Sequence, residues 1–351
     1  MANRLAKRVA AEWLLILTIL GWCATSLYLW RFPHYSPTDL KVVYTLLVFL
    51  VIIKGLEHKG VLPSIAARLD RGAYLPQKLI LITGLLSMFV TNDVAVLTMV
   101  PLTLALGMDE RLIILEALVA NSASTLTPFG NPQNIFIYFH YHLHPLEFMG
   151  AIAPFALFFF AFCLAVSFSV KKGPQALSPP EGKPGIQKTG LLYGAFFVVF
   201  VLAVLRIFPL FLGILPLVFA LIWDRESLKV DYLLLLTFLA FFGFTDNLMH
   251  ILRFSLDSGG EVFLYSALGS QVISNFPSTL LFADFTRNWQ ALLWGVSVGG
   301  FGNLISSLAS LITYRLYKAR TGEQKSFLVR FHILGYTAFA LGCGLFFLVI
   351  S

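Results

Sequence analysis

The residues of this sequence that are best suited to chemistry are short polar groups inside long apolar segments. Asp93 closes a Thr-Asn-Asp triplet in the middle of the apolar stretch 79–106. A carboxylate at membrane depth is energetically costly and usually marks an ion or proton pathway. Asp93 is therefore a candidate cation ligand or proton carrier, and a structural aspartate that caps backbone N–H groups is the alternative.

A second polar interruption lies in the apolar stretch 262–285, where Ser274 and Asn275 begin the sequence Ser-Asn-Phe-Pro-Ser. Backbone groups at such a break stay unpaired unless protein or a watery cavity surrounds them. We therefore predict two re-entrant hairpins, 79–106 and 262–285; a continuous helix with a few satisfied polar residues is the alternative. The short polar residues at each break also predict side-chain N-caps for the following helix.

Two more stretches are interrupted by glycine and asparagine. The run 111–139 breaks at Pro-Phe-Gly-Asn-Pro (128–132), and the run 289–314 breaks at Gly-Gly-Phe-Gly-Asn (299–303). Helix N-termini attract anions, and unwound carbonyls with side-chain oxygens can coordinate sodium. No Lys or Arg lies within the four interruptions, so we expect an anion to be held mainly by backbone dipoles and by hydroxyl or amide donors.

The predicted binding site gathers polar residues and glycines from all four interruptions. Its members are Thr91, Asn92, Asp93, Ser122, Ser124, Thr125, Gly130, Asn131, Ser274, Asn275, Ser278, Thr279, Gly300, Gly302 and Asn303. The candidate sodium ligands are Asn92, Asp93, Gly130 and Asn131, and no other cofactor is expected.

The elements that must position these residues occur twice along the chain. A polar stretch, 171–188, has the composition of a flexible linker, and an apolar helix, a hairpin and a broken helix follow in the same order on each side of it. Paired interruptions at corresponding points predict internal repeats. The predicted segments are an N-terminal anchor (1–38), a first repeat (39–170), a cytoplasmic linker (171–188) and a second half with the second repeat (189–351).

The composition requires lipid around the chain. Of 351 residues, 58% are hydrophobic and 12% are charged, against about 45–50% and about 25% in soluble domains. This excludes a soluble globule and a disordered chain. The formal charge of +7 comes in short clusters rather than a basic stripe, so nucleic acid is not an expected partner. Without a phosphate-binding loop of the G-x-x-x-x-G-K-[ST] form, ATP-driven pumping is not predicted.

The distribution of positive charge predicts the topology. If both hairpins are re-entrant, about nine full crossings remain. With the N-terminus inside, 20 of the 25 Lys and Arg residues then fall on the cytoplasmic side. The first apolar stretch is interpreted as an anchor rather than a signal peptide, because no A-x-A cleavage site follows it. The predicted fold is an all-α polytopic membrane protein with inverted repeats.

The sequence gives weaker evidence of a function for the other ionisable residues. His140, His142 and His144 would present three imidazoles to a metal if the chain were extended there, but a polar outer loop is the commoner explanation. Glu116 and Asp284 are interpreted as structural, with a proton route as the alternative. Asp246 and Glu57, which correspond in the two repeats, lie near helix ends where a carboxylate can reach water.

Two segments carry a family resemblance: FVTNDVAVLTMVPLTLAL (89–106) and NSASTLTPFGNPQNIFIY (121–138). They resemble the ion transporter superfamily, most closely its arsenite/antimonite permeases and the YbiR-like permeases. The resemblance implies that hairpin tips and broken helices form the transport site, that the transport domain moves like an elevator against a scaffold, and that the scaffold forms a homodimer. Divalent-anion sodium symporters of this superfamily carry Ser-Asn-Thr at both tips. Here Phe276 takes the third position of the second tip, so a symmetric second sodium site is not implied.

Together these observations predict a secondary active transporter of the cytoplasmic (inner) membrane. It would move a small anion, either an inorganic oxyanion or a carboxylate, coupled to sodium or protons. An arsenite/antimonite efflux permease or a sodium/proton antiporter is the alternative. An intramembrane aspartyl protease using Asp93 and Asp246 is a remote alternative, because the sequence lacks a Gly-x-Gly-Asp context. The protein is not expected to be an enzyme, and its expected partners are the anion, lipid and a second copy of the chain.

Overall fold

A computed structural model describes residues 13–62, 64, 74–170, 187–252, 255–322 and 325–350. Within these ranges the chain forms fifteen α-helices and no strand, which confirms the predicted all-α class. Most of the predicted linker, residues 171–186, lies outside the described residues, as does the start of the predicted anchor. The predicted division into segments stays a prediction.

The helices divide into those before and those after the predicted linker. The first set is α1 (Trp13–Leu29), α2 (Pro37–His58), α3 (Leu75–Val90), α4 (Asn92–Ala105), α5 (Glu110–Ala123), α6 (Pro132–His140) and α7 (Pro145–Ser167). The second set is α8 (Lys188–Val204), α9 (Ile214–Trp223), α10 (Tyr232–Ile251), α11 (Gly259–Ile273), α12 (Asn275–Ala283), α13 (Trp289–Gly299), α14 (Leu308–Thr321) and α15 (Lys325–Val349).

Three helical segments of the described chain are long and apolar enough to cross a membrane: Pro145–Ser167, Arg225–Ile251 and Lys325–Val349. Several shorter helices are also apolar, among them α1, α3, α4 and α8. Large apolar side chains such as Leu27 and Phe211 are exposed on the outside of the molecule. Such a surface suits lipid rather than water. The number of crossings and the side of the N-terminus stay predictions.

The first helix pair, α3 and α4, is separated by the single residue Thr91 and folds back on itself. The hydroxyls of Thr83 in α3 and Thr103 in α4 both donate to Oε1 of Glu116, at 3.4 and 2.6 Å. Because these threonines lie on opposite sides of the break, the two helices run side by side. The pair begins at Leu75 rather than at the predicted residue 79, since Pro76 is well suited to a first helical turn.

The second helix pair, α11 and α12, is likewise separated by one residue, Ser274. The Ser278 hydroxyl in α12 donates to the main-chain oxygen of Ser266 in α11 over 2.8 Å. This bond joins residues on opposite sides of the break, so the second pair folds back in the same way as the first.

Both tip residues adopt the same unusual backbone conformation. Thr91 has φ 81° and ψ 151°, and Ser274 has φ 75° and ψ 158°. This region is occupied almost only by glycine. Neither side chain caps the helix that follows, so the predicted N-caps at the tips are wrong. An N-cap residue needs an extended backbone with negative φ, which neither tip has.

The two broken helices run antiparallel. The first consists of α5, a short 3₁₀ turn and α6; the second consists of α13 and α14 with a non-helical stretch between them. Glu110 begins α5 and accepts from the hydroxyl of Tyr317, near the end of α14, over 2.8 Å. Tyr141 follows α6 and donates to the carbonyl of Thr286, just before α13, over 3.0 Å. The start of each broken helix therefore lies beside the end of the other.

Corresponding contacts attach each broken helix to its helix pair. The Thr127 hydroxyl donates to the carbonyl of Met88 over 2.7 Å, and the Asn303 amide donates to the carbonyl of Gln271 over 2.9 Å. Met88 and Gln271 each lie three residues before a tip. The two units therefore share local contacts as well as the order of their parts.

Candidate functional site

A cavity of about 280 Å³ lies where the two tips and the two broken helices meet. Its lining mixes apolar side chains with polar and charged ones. The polar and charged members are Asn92, Asp93, Gln133, Asp231, Thr237, Ser274, Asn275, Ser307 and Arg315.

Four helices begin at this cavity. The first residues of α4, α6, α12 and α14 all line it: Asn92, Pro132, Asn275 and Leu308. The N-terminus of a helix carries free N–H groups and a positive dipole end, both of which favour a bound anion. At α4, α12 and α14 no side chain caps the first turn. These N-termini therefore favour an anion, while the carboxylates of Asp93 and Asp231 in the same lining favour a cation.

Two buried side-chain oxygens in the cavity wall lack a hydrogen-bond partner among the described residues. They are Oδ1 of Asn92 and Oδ1 of Asp93. The other end of the Asn92 amide donates to Oδ1 of Asn121 over 2.8 Å, which fixes the orientation of the amide. A buried acceptor without a partner is costly, so these oxygens fit a cation or a hydrogen-bond donor on a ligand.

The other two candidate sodium ligands are placed differently. Asn131 is fully buried, and its Oδ1 already accepts from the main-chain N–H of Asn134 over 2.9 Å. At Gly130 a Cβ atom would overlap the carbonyl oxygen of Ser124, so the tight turn requires glycine. Neither residue lines the cavity. The donor set that fits a cation is thus Asn92 and Asp93.

Asn121, near the end of α5, connects the two broken helices. Its Oδ1 accepts from Asn92 and from the hydroxyl of Ser307, over 2.8 and 2.7 Å. Its Nδ2 donates to the hydroxyl of Ser310 over 3.2 Å and to the carbonyl of Gly300 over 3.4 Å. Sequence reasoning missed this role, and the only signal was a polar residue just before the break of an apolar helix.

Gln271 has a related role in the second half of the chain, and sequence reasoning did not predict this role either. Its Nε2 donates to the carbonyls of Gly299 and Phe301, over 2.7 and 2.9 Å. Its Oε1 accepts from the main-chain N–H of Asn303 over 3.3 Å. The side chain therefore supports the non-helical stretch, where Gly302 adopts a positive φ of 97°.

Most of the remaining predicted residues form the layer behind the cavity. The hydroxyls of Ser122, Ser124 and Thr125 each donate to a carbonyl three residues earlier. The hydroxyls of Ser278 and Thr279 also donate to main-chain carbonyls.

Of the fifteen predicted site residues, four line the cavity: Asn92, Asp93, Ser274 and Asn275. The other eleven are Thr91 at the first tip and Ser122, Ser124, Thr125, Gly130, Asn131, Ser278, Thr279, Gly300, Gly302 and Asn303.

Arg315 gives the cavity a positive side chain that sequence reasoning did not assign to it. It lies on α14, on the same helical face as Leu308 and Leu311, and all three line the cavity. Within the described chain it forms no ion pair. Asp231, also part of the lining, caps α10 by accepting from the main-chain N–H of Leu234 over 3.1 Å. The expectation that an anion would be held mainly by dipoles and neutral donors stays a prediction, and Arg315 adds a cation to the lining that this expectation did not include.

The other singled-out carboxylates do not line the cavity. Glu116 is buried in α5 and joins the arms of the first helix pair. Asp246 forms an ion pair with Arg31, and its carboxylate also accepts from the main-chain N–H of His34 over 2.8 Å. Glu57 pairs with Lys54 over 3.0 Å at an exposed position.

The three histidines do not form an extended run. His140 ends α6, with Nε2 3.6 Å from a carboxylate oxygen of Asp284, while His142 has a left-handed backbone with φ 56°. His144 caps α7 through Nδ1, which accepts from the main-chain N–H of Leu146 over 3.4 Å. Among the described residues no three metal-ligating side chains are placed to share an ion. The metal interpretation is therefore wrong.

Comparison with known proteins finds a family and several similar relatives. The sequence profile of the citrate transporter family (CitMHS) matches residues 4–299. An uncharacterized transporter of Methanocaldococcus jannaschii is 35% identical over 291 residues, which cover 79% of this chain and 81% of that one. The inner membrane protein YbiR of Escherichia coli is 34% identical over 311 residues, 80% of this chain and 81% of that one. The silicon efflux transporter LSI3 of Oryza sativa subsp. japonica is 28% identical over 129 residues, 34% of this chain and 27% of that one.

Proposed function

This chain belongs to the citrate transporter family (CitMHS), and we propose that it is a secondary active transporter that moves a small anion across the cytoplasmic membrane, coupled to sodium or protons. The family and its similar relatives are transporters, which confirms that the protein is not an enzyme and excludes the aspartyl protease. The family assignment also confirms the resemblance to the ion transporter superfamily.

The observation that carries the proposal is the convergence of helix N-termini on one cavity. Four helices begin at the same 280 Å³ space, and Arg315 also lines it. That volume suits an inorganic oxyanion or a small carboxylate rather than a large solute. An anion in this space would also lie near the carboxylates of Asp93 and Asp231, so a bound cation or proton would offset the repulsion.

Asn92 and Asp93 are the proposed coupling site. Their unpartnered oxygens offer ligands for a sodium ion, and the Asp93 carboxylate alone could carry a proton. Either cation would lie beside the N-terminus of α4, whose positive dipole end favours the anion. The anion and the cation would thus stabilise each other's binding, which is the physical basis of coupled transport.

We further propose that both helix pairs are re-entrant and that the repeats are inverted. The matched tip conformations and the antiparallel broken helices support this arrangement. Asp231 and Arg315 are exposed lining residues, and the positive-inside rule assigns their segments to the cytoplasm. On this basis we propose an inward-open state of an elevator that dimerises through its scaffold. The similarity to an inner membrane protein supports the proposed location.

Reconstitution into proteoliposomes tests the function. Labelled citrate, phosphate, sulfate and arsenite would be offered under a sodium gradient or a pH gradient. We expect one of these anions to accumulate only with a cation gradient, and Asp93→Asn to abolish or uncouple its uptake. Asp257→Asn, at an exposed position outside the cavity, is the control and should transport like wild type. Uptake and ion dependence of wild-type character in Asp93→Asn would contradict the proposal.

Sodium/proton antiport is the second candidate, because the unpartnered carboxylate oxygen of Asp93 could exchange the two cations by itself. Adding sodium to vesicles that hold a pH gradient, with no transportable anion present, distinguishes the two functions. Collapse of the gradient would favour antiport. A collapse that requires an anion would favour coupled anion transport.

A further inference from the structure

A second cavity, of about 470 Å³, lies apart from the first and shares no lining residue with it. We propose that Lys41 and Arg206 make this cavity a binding site for a phosphate group, as carried by an anionic phospholipid. Lys41 comes from α2, and Arg206 comes from the loop that follows α8. His142, from the turn after α6, completes the polar side of the wall, and Phe139, at the end of α6, adds an aromatic ring.

The cavity has positive charge without a matching carboxylate. No Asp or Glu lines it, and within the described chain neither Lys41 nor Arg206 takes part in an ion pair. The carboxylate nearest to Lys41 along the chain, that of Asp39, instead accepts from the main-chain N–H of Ser36 at the start of α2, over 2.8 Å. Two cations that share one space repel each other, and a bound anion would remove that repulsion.

Aromatic rings position both cations. The Lys41 ammonium lies 5.8 Å from the ring centre of Phe139, and the Arg206 guanidinium carbon lies 5.1 Å from that of Tyr138. A cation over a ring face is held by the ring quadrupole rather than by hydrogen bonds to an acceptor. The N–H donors of both side chains therefore stay available for phosphate oxygens, which arginine can bind in a bidentate manner.

The backbone also fixes Arg206. Its N–H donates to the carbonyl of Ala203 over 3.0 Å, and the N–H of Ile207 donates to that of Leu202 over 2.9 Å. Arg206 has a φ of 64°, in the left-handed region that glycine usually occupies after a helix. The guanidinium is thus attached to a rigid helix end, where the dipole also favours a cation.

The apolar part of the wall argues for an amphiphile. Ile207 is 63% exposed and Phe208 is 42% exposed, and both line the cavity next to Arg206. In a membrane-embedded chain this edge can meet acyl chains while the two cations meet a headgroup. Free phosphate has the same polar chemistry but would make no use of the apolar edge.

Native mass spectrometry of the purified full chain tests the site with a mixture of equal amounts of phosphatidylglycerol and phosphatidylcholine. We expect wild type to retain phosphatidylglycerol preferentially. The double variant Lys41→Gln/Arg206→Gln should retain it about tenfold less, because each cation near a headgroup contributes to binding. Arg287→Gln is the matched control: it removes an exposed cation outside the cavity and should behave like wild type.

A thermal-shift titration with inorganic phosphate identifies the source of the anion. Stabilisation of wild type but not of the double variant would assign the site to free phosphate, and selective lipid retention without a phosphate effect would assign it to the headgroup. The charge-preserving variant Lys41→Arg/Arg206→Lys separates loss of charge from loss of fold. Equal lipid retention and equal phosphate response in wild type and the double variant would overturn the proposal.

Discussion

The side-chain amide of Asn92 donates to Oδ1 of Asn121 over 2.8 Å, and this bond links the tip of the first helix pair to the first broken helix. The same Oδ1 also accepts from Ser307, just before α14, so the link continues into the second broken helix. One buried side chain thus holds parts of both broken helices around the cavity. It also leaves Oδ1 of Asn92 free for a ligand.

Replacement of Asn121 should therefore weaken the fold and the site together. Asn121→Ala leaves the Asn92 amide and the Ser307 hydroxyl without their acceptor, at a cost of about 1–3 kcal/mol in the free energy of unfolding. Denaturation in detergent measures this loss. Ser310→Ala removes only one of the four bonds and should cost clearly less. Equal effects of the two substitutions would show that Asn121 does not have the connecting role.

The strained tip predicts an unusual response to glycine. Thr91→Gly should leave the melting temperature unchanged or raise it, because a non-glycine residue in this region costs about 1–3 kcal/mol. Thr98→Gly, inside α4, is the matched control and should lose stability, by at least a few tenths of a kcal/mol from helix propensity. If Thr91→Gly destabilises as much as Thr98→Gly, the tip is not strained in the way that its φ indicates.

Arg315 should set the affinity for the anion. Under the proposed function, Arg315→Gln removes a charged donor and should raise the KM for uptake about tenfold or more, since hydrogen bonds to charged groups contribute about 1.5–3 kcal/mol. Arg315→Lys should retain part of the affinity. Arg320→Gln, on the same helix but outside the cavity, is the control. A similar loss in Arg320→Gln would mean that only the general positive field matters.

Asp284, which follows α12, should make stability depend on pH. Burial raises the pKa of its carboxyl group from 3.8 to about 6, and repulsion from Asp39 and Asp246 adds to the shift. The folded state then holds this proton more tightly than the unfolded state, so stability is lost as the pH rises from 3.8 towards about 6. The effect should stay well under 3 kcal/mol, because the side chain is 32% exposed.

Melting temperatures measured between about pH 4 and about pH 8 check this dependence. Asp284→Asn should gain on wild type as the pH rises through this window and keep a constant advantage above it. His140, whose Nε2 lies 3.6 Å from the carboxylate, stays in place in this variant. A constant difference across the whole range would refute the proposed titration.

Patterns along the chain were sufficient to predict the class of fold and the positions of the helix breaks. A polar triplet inside an apolar run is visible without any structure, and the helices do end and restart at Thr91 and Ser274. Asn92, Asp93, Ser274 and Asn275 line the cavity, and their role as a binding site stays a prediction. Local reasoning failed at the tips themselves, where packing of the helix pair imposes a positive φ and prevents the expected N-caps.

Tertiary structure alone decided which distant residues join them. Arg315 lies seven residues after the start of α14 and reaches the cavity only because that helix presents one particular face to it. Asn121 and Gln271 act through contacts with residues that are remote in sequence. The polarity of a segment follows directly from its own residues. The rotation of a helix against its neighbours instead depends on how all the apolar faces pack together.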